Sequence, residues 1–114
     1  MTIMSENMGE EKHMTLYRDN NPNAARCIDV SIKDGIVEFG QQDIGPLCEE
    51  MFGDSDYERI IFNLPVRQLR AAMHVKTDEE LLAVLKRDYG TEDAFDRFSK
   101  FVHDNHLEYD VYCG

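Results

Sequence analysis

Basic residues are scarce in this chain. Twelve Lys and Arg stand against 23 Asp and Glu in 114 residues, a formal net charge of −11 at pH 7. A self-repelling acidic surface turns away nucleic-acid phosphates and anionic membranes and attracts basic protein surfaces. Cysteine is scarce too: Cys27, Cys48 and Cys113 are odd in number and widely spaced, with no Cys-x-x-Cys pair. That excludes a disulfide framework and a zinc or redox knuckle, and leaves free, mostly buried thiols as the expectation. No apolar run approaches a membrane span, and Met1 to His13 lack the basic start and apolar stretch of a signal peptide, so the expected location is the cytoplasm. A glycine-rich phosphate loop, Gly-x-Ser-x-Gly and His-Glu-x-x-His are all missing. The expectation is a protein that is not an enzyme and takes no cofactor.

What is present describes a packed globule. Hydrophobic residues make up 42% of the chain, with six Phe and five Tyr, and the length suits one domain. Residues 1–14 are polar and without apolar period, which predicts a disordered tail ahead of a single domain over 15–114. Asn20 to Asn23, around Pro22, form a turn or loop. Ile28, Val30 and Ile32 alternate with polar residues up to Asp34-Gly35, and Ile36-Val37-Glu38-Phe39 follows. Asp-Gly suits a type I′ turn, whose register puts Val30, Ile32, Val37 and Phe39 on one face and Ser31 and Glu38 on the other.

Gly45-Pro46 opens a short helix ending at Gly53, and Tyr57 to Leu64 reads as a third strand. Val66, Leu69 and Met73 share one helical face after Pro65. Thr77 and Glu80 have the spacing of a capping box ahead of Leu81, Leu82, Leu85 and Tyr89. Thr91 begins a last helix with Ala94, Phe95, Phe98, Phe101 and Val102 at helical spacing, before a strand in which Leu107, Tyr109, Val111 and Cys113 alternate. The order predicts an α+β two-layer sandwich, about four mainly antiparallel strands covered on one face by helices.

Chemical constellations are few. His103 and His106 are three apart near a helix end, where histidines suit the helix dipole; a metal needs a third ligand that the sequence does not supply, so no metal site is expected. Cys48 lies between apolar Leu47 and Met51-Phe52 and beside Glu49 and Glu50, which disfavour a thiolate, so it reads as core. Phe95, Phe98 and Phe101 on one stripe read as core, and base stacking there lacks its electrostatic half. Arg67, Arg70 and His74 read as ion-paired surface. The acids are uneven: Asp43, Glu49, Glu50, Asp54, Asp56 and Glu58 fall in a stretch with no Lys or Arg, and Glu92, Asp93 and Asp96 gather at the start of the last helix.

The stretch from Gln42-Asp43-Ile44-Gly45-Pro46 through Glu49-Glu50-Met51-Phe52-Gly53 to Asp56-Tyr57-Glu58 resembles a segment of small, acidic, uncharacterised bacterial proteins. In size, acidity and layout the chain is also similar to immunity proteins of bacterial toxin systems such as contact-dependent inhibition. The resemblance implies a binding protein that neutralises a toxin nuclease by occluding its basic cleft. The expected contact residues are Glu49, Glu50, Asp54, Asp56 and Glu58, with Tyr57 and Phe52 as aromatic anchors. The alternatives are a DNA mimic blocking a restriction or CRISPR nuclease, whose acids would be spaced like phosphates along an elongated face, and a small housekeeping adaptor or an enzyme lacking recognisable motifs.

Overall fold

The computed structural model describes residues 11–22, 25–45 and 56–114. Their order is β1 (Lys12–Arg18), β2 (Ala25–Lys33), β3 (Ile36–Ile44), β4 (Asp56–Pro65), α1 (Val66–Met73), α2 (Asp78–Asp88), α3 (Ala94–Asp104) and β5 (Asp110–Cys113). The strands form one antiparallel sheet in the order β1-β2-β3-β4-β5. The fold is α+β, with one strand more than the expected four.

The β2–β3 hairpin has the register that its turn dictates: Lys33 faces Ile36, Ile32 faces Val37, Ser31 faces Glu38 and Val30 faces Phe39. Asp34 and Gly35 both have positive φ, 53° and 78°, as a type I′ turn requires. The turn also anchors the first helix, because Val66 donates its amide to the Gly35 carbonyl at 2.8 Å. Pro65 ends β4 in extended geometry and offers no side-chain cap to α1. The hairpin therefore satisfies a helix-end donor that a capping side chain would otherwise take.

Alternation sorts the strands into two faces. Ile28, Val30, Ile32, Val37, Phe39, Ile61 and Leu64 are buried beneath Leu69, Leu81, Leu85, Phe95, Phe98 and Val102 of the helices. Phe39 is central: its ring stacks on Phe98 at 4.1 Å between centroids, and Tyr89 meets both rings edge-on. Phe95 and Phe98 are core, as their spacing implied, and Phe101 is half-buried against it. The Thr77–Glu80 capping box is formed in both directions.

Three expectations are corrected. Lys12 to Met14 belong to β1, not to a tail, so the ordered chain begins before Thr15. Pairing to β2 orders them: Lys12, His13 and Met14 face Ile32, Ser31 and Val30. The closing strand starts at Asp110; Leu107 and Tyr109 pack against the core before it, whereas all four residues of β5 are exposed. Neither of the described thiols is buried: Cys27 is half-buried and Cys113 exposed at the sheet's edge. The short helix expected after Gly45, with Cys48, lies outside the described residues, and so do residues 1–10.

Candidate binding face

Among the described residues, the helices cover one face of the sheet and leave the other open. The residues alternating with the core make up that open face: His13 and Arg18 on β1, Cys27, Asp29, Ser31 and Lys33 on β2, Glu38, Gly40 and Gln42 on β3, Asp56, Glu58, Ile60 and Phe62 on β4, and Asp110 and Tyr112 on β5. Register places Asp29, Gly40, Ile60 and Tyr112 side by side across four strands. Ser31 and Glu38 flank that row on one side, and Cys27, Gln42 and Glu58 on the other.

Three adjoining hollows lie here. One of about 200 Å³ is lined by Gly40 together with His13, Asp29, Glu38, Glu58 and Ile60. A second of about 240 Å³ lies between Glu38, Ile60, Phe62 and Tyr112. A third, of about 420 Å³, reaches Lys33 and Ile36 beside the hairpin turn. Carboxylates outnumber cations on this face, and its cations Arg18 and Lys33 stand at its margins, at the end of edge strand β1 and beside the turn.

Hydrogen bonds divide the acids into occupied and unoccupied. Asp29 accepts from the Cys27 thiol at 3.2 Å through one oxygen, and its other oxygen lies 3.1 Å from His13 Nε2. Burial and then this bond push the Cys27 thiol up, so it stays protonated and is a poor nucleophile. Gln42 donates to both oxygens of Asp56, at 3.1 and 3.3 Å. Asn63 donates to Asp110 at 2.8 Å. Glu38 and Glu58 have no side-chain partner among the described residues. Among those residues no cluster of His, Cys, Asp and Glu could hold a metal; His103 lies against Asp104, and His106 sits in a left-handed turn after α3.

The expected contact segment is divided by the fold. Asp56 and Glu58 are on the open face, while Tyr57 pairs with Asp43 and alternates to the helix side. Glu49, Glu50, Phe52 and Asp54 lie outside the described residues. Asp43 is no surface acid: it is 6% exposed, and Arg26 binds it twice, at 2.7 and 3.3 Å. Gln41 adds a third donor at 3.0 Å, and Arg26 reaches on to the Glu92 carbonyl. This network ties the sheet's end to the α2–α3 connection, which is what a buried carboxylate needs. Of the other charged groups, Asp96 pairs with Arg59, Asp93 with Arg97 and Arg70 with Asp78.

Reading charge along the chain missed His13, Asp29, Glu38, Gly40, Ile60, Phe62 and Tyr112. Their signal was the polar half of each strand's alternation, summed across strands whose order the sequence does not state. No helix among the described residues is long and apolar enough to cross a membrane. Set against family models, curated proteins and solved structures, the chain finds no match, and the open face is the ground on which its function is argued.

Proposed function

We propose that this is an acidic protein-binding module, an immunity or inhibitor protein that neutralises a toxin nuclease by covering its basic cleft, and that it acts without catalysis, metal or cofactor. The observation that carries the reading is the open sheet face. There Glu38 stands beside the apolar Ile60, Phe62 and Tyr112, and Glu58 beside Ile60, both carboxylates without a side-chain partner among the described residues. A nuclease holds phosphates in a positive cleft; an acidic face accelerates encounter with it, and apolar side chains hold it after desolvation. Apolar groups among the acids favour a protein surface over phosphate mimicry.

The test presents the immobilised full chain, and its Glu38→Lys/Glu58→Lys variant, to a lysate of the source cell. The expected result is one basic protein retained by the parent chain. Its association rate falls steeply with salt, it is lost on the variant, and its nuclease activity disappears on adding one equivalent of the parent chain. A companion variant reversing Glu49, Glu50 and Asp54 measures how much of the encounter the preceding acidic segment contributes. A partner that binds the folded Glu38→Lys/Glu58→Lys variant with unchanged rate and salt slope overturns the reading.

A further inference from the structure

The two edges of the sheet are finished differently. At β1 the ladder is broken by the irregularity between Thr15 and Tyr17, and Lys86 takes the carbonyls of Thr15 and Leu16, which blunts that edge against a further strand. β5 carries none of these devices. Asp110-Val111-Tyr112-Cys113 has no proline or lysine, its register with β4 is regular, and all four residues are exposed. Its free hydrogen-bonding groups follow from the ladder. Glu58 and Gly114 exchange both amide–carbonyl bonds at 2.9 Å. Antiparallel pairs alternate, so Tyr112 and Asp110 also bond to β4, and the N–H and C=O groups of Val111 and Cys113 point away from the sheet.

Which strand fits that edge follows from β5 itself. Its one charge is Asp110, which accepts from Asn63 through one oxygen and has no partner for the other among the described residues. The Tyr112 ring lies against Gly114, where a Cβ would meet its hydroxyl. An antiparallel second copy, placed with Tyr112 facing Tyr112, sets Val111 opposite Cys113 as a doubly bonded pair on each side of the axis, and Asp110 opposite Gly114. The Tyr112 hydroxyl of each copy then meets the free Asp110 oxygen of the other, a charge-assisted bond made twice. The two Asp110 carboxylates stand about 13 Å apart along the seam, beyond the roughly 8 Å screening length of physiological salt. A register with Val111 facing Val111 would bring them to a diagonal distance of about 7–8 Å, within reach of repulsion. The apolar strip of Ile60, Phe62 and Tyr112, which reaches the edge in one copy, continues into the same strip of the other. We propose that β5 is a self-association edge: two chains pair β5 to β5 about a two-fold axis at Tyr112, joining two five-stranded sheets into one continuous sheet.

The seam runs only from Asp110 to Gly114 on each side, against about 20–30 residues a side in a standard interface, so the dimer is weak and concentration-dependent. Repulsion between two chains of net charge −11 opposes it, and sodium chloride therefore tightens it. It requires no other protein, and it stands whether or not the open face engages a nuclease. The experiment is sedimentation equilibrium of the full chain from about 10 µM to about 1 mM, with amide exchange followed over the same range. A monomer–dimer equilibrium is expected, with protection that rises with concentration and centres on Val111 and Cys113. Val111→Pro removes an amide that does not bond to β4, so it should cut association at least about tenfold while the dilute chain keeps its melt. Tyr112→Phe keeps the ring and loses both hydroxyl bonds, and should weaken association about tenfold. A chain that is monomeric throughout, undiminished association by either variant, or protection that rises away from β5 overturns the proposal.

Discussion

At the scale of single residues, Gly90 is a position with no room for a side chain. Gly90, just past α2, lies where a Cβ would come within 2.8 Å of the Lys86 carbonyl and 3.3 Å of the Leu16 carbonyl. Backbone walls cannot yield as a flexible side chain can, so Gly90→Ala should cost about 1–3 kcal/mol, the range for overpacking, read as a lower midpoint in urea. Loss below 0.5 kcal/mol would show that α2 can shift away from β1 freely, a magnitude typical of surface changes. The contact of Gly90 with β1 was not legible in the sequence, because the stretch from Thr15 to Arg18 shows no strand period. Asp43 gave the same lesson in charge. A carboxylate's place in an acid run says nothing about burial, and only Arg26 on the neighbouring strand, with Gln41 on its own, reveals it. The open face was least legible of all, since Asp29, Gly40, Ile60 and Tyr112 become neighbours only through the register of four strands.

At the scale of elements, legibility followed how local the determinants are. The hairpin and the capping box are set within a few residues, by Asp34-Gly35 and by Thr77 with Glu80, and both formed as their chemistry dictates. Thr77→Ala removes the acceptor of the Glu80 amide and should lower stability by about 1 kcal/mol, with loss of helical circular dichroism beginning at a lower temperature. An unchanged melt would mean that packing of Leu81 and Leu85 alone sets the start of α2. β1 escaped for a physical reason. A register shift between Thr15 and Tyr17 breaks the period of two, leaving Leu16 buried and Tyr17 against the core in succession. Lys86 stabilises that irregular point by donating to the carbonyls of Thr15 and Leu16, both at 3.2 Å. β5 was over-read in the opposite sense. Its alternation is real, yet its helix-side residues lack cover: Val111 remains 49% exposed, and Cys113 is exposed as well.

At the scale of the whole molecule, a net charge of −11 opposes compactness, and pH and salt act on it in opposite directions at the two ends of the acid range. Backbone and side-chain hydrogen bonds hold some carboxyls below the usual range: Asp19 through the Asn21 amide and Tyr17, Asp93 through Thr91 and Arg97, Asp104 through Lys100. A depressed folded-state pKa stabilises the native state above the unfolded value and stops doing so as pH falls through the folded one. Their contribution is therefore present at pH 5 and lost below about 4, where unfolded aspartates titrate. Between pH 7 and 5 the reverse effect operates, because protons taken up by the chain relieve repulsion. Tm should accordingly peak near pH 5 rather than 7, and added sodium chloride should raise it at pH 7. A Tm at pH 7 that is indifferent to salt and higher than that at pH 5 would show that the acids are too well dispersed to repel. The placement of β5 has a consequence in time. β1 to β4 are joined consecutively, whereas β5 reaches β4 only after three helices have intervened. Its pairing closes a long loop and buries little, so it forms late and opens first, and its amides should exchange with solvent fastest in the sheet. Because β5 brings Tyr112 and Asp110 to the open face, a newly made chain has that face complete only once this last strand has closed.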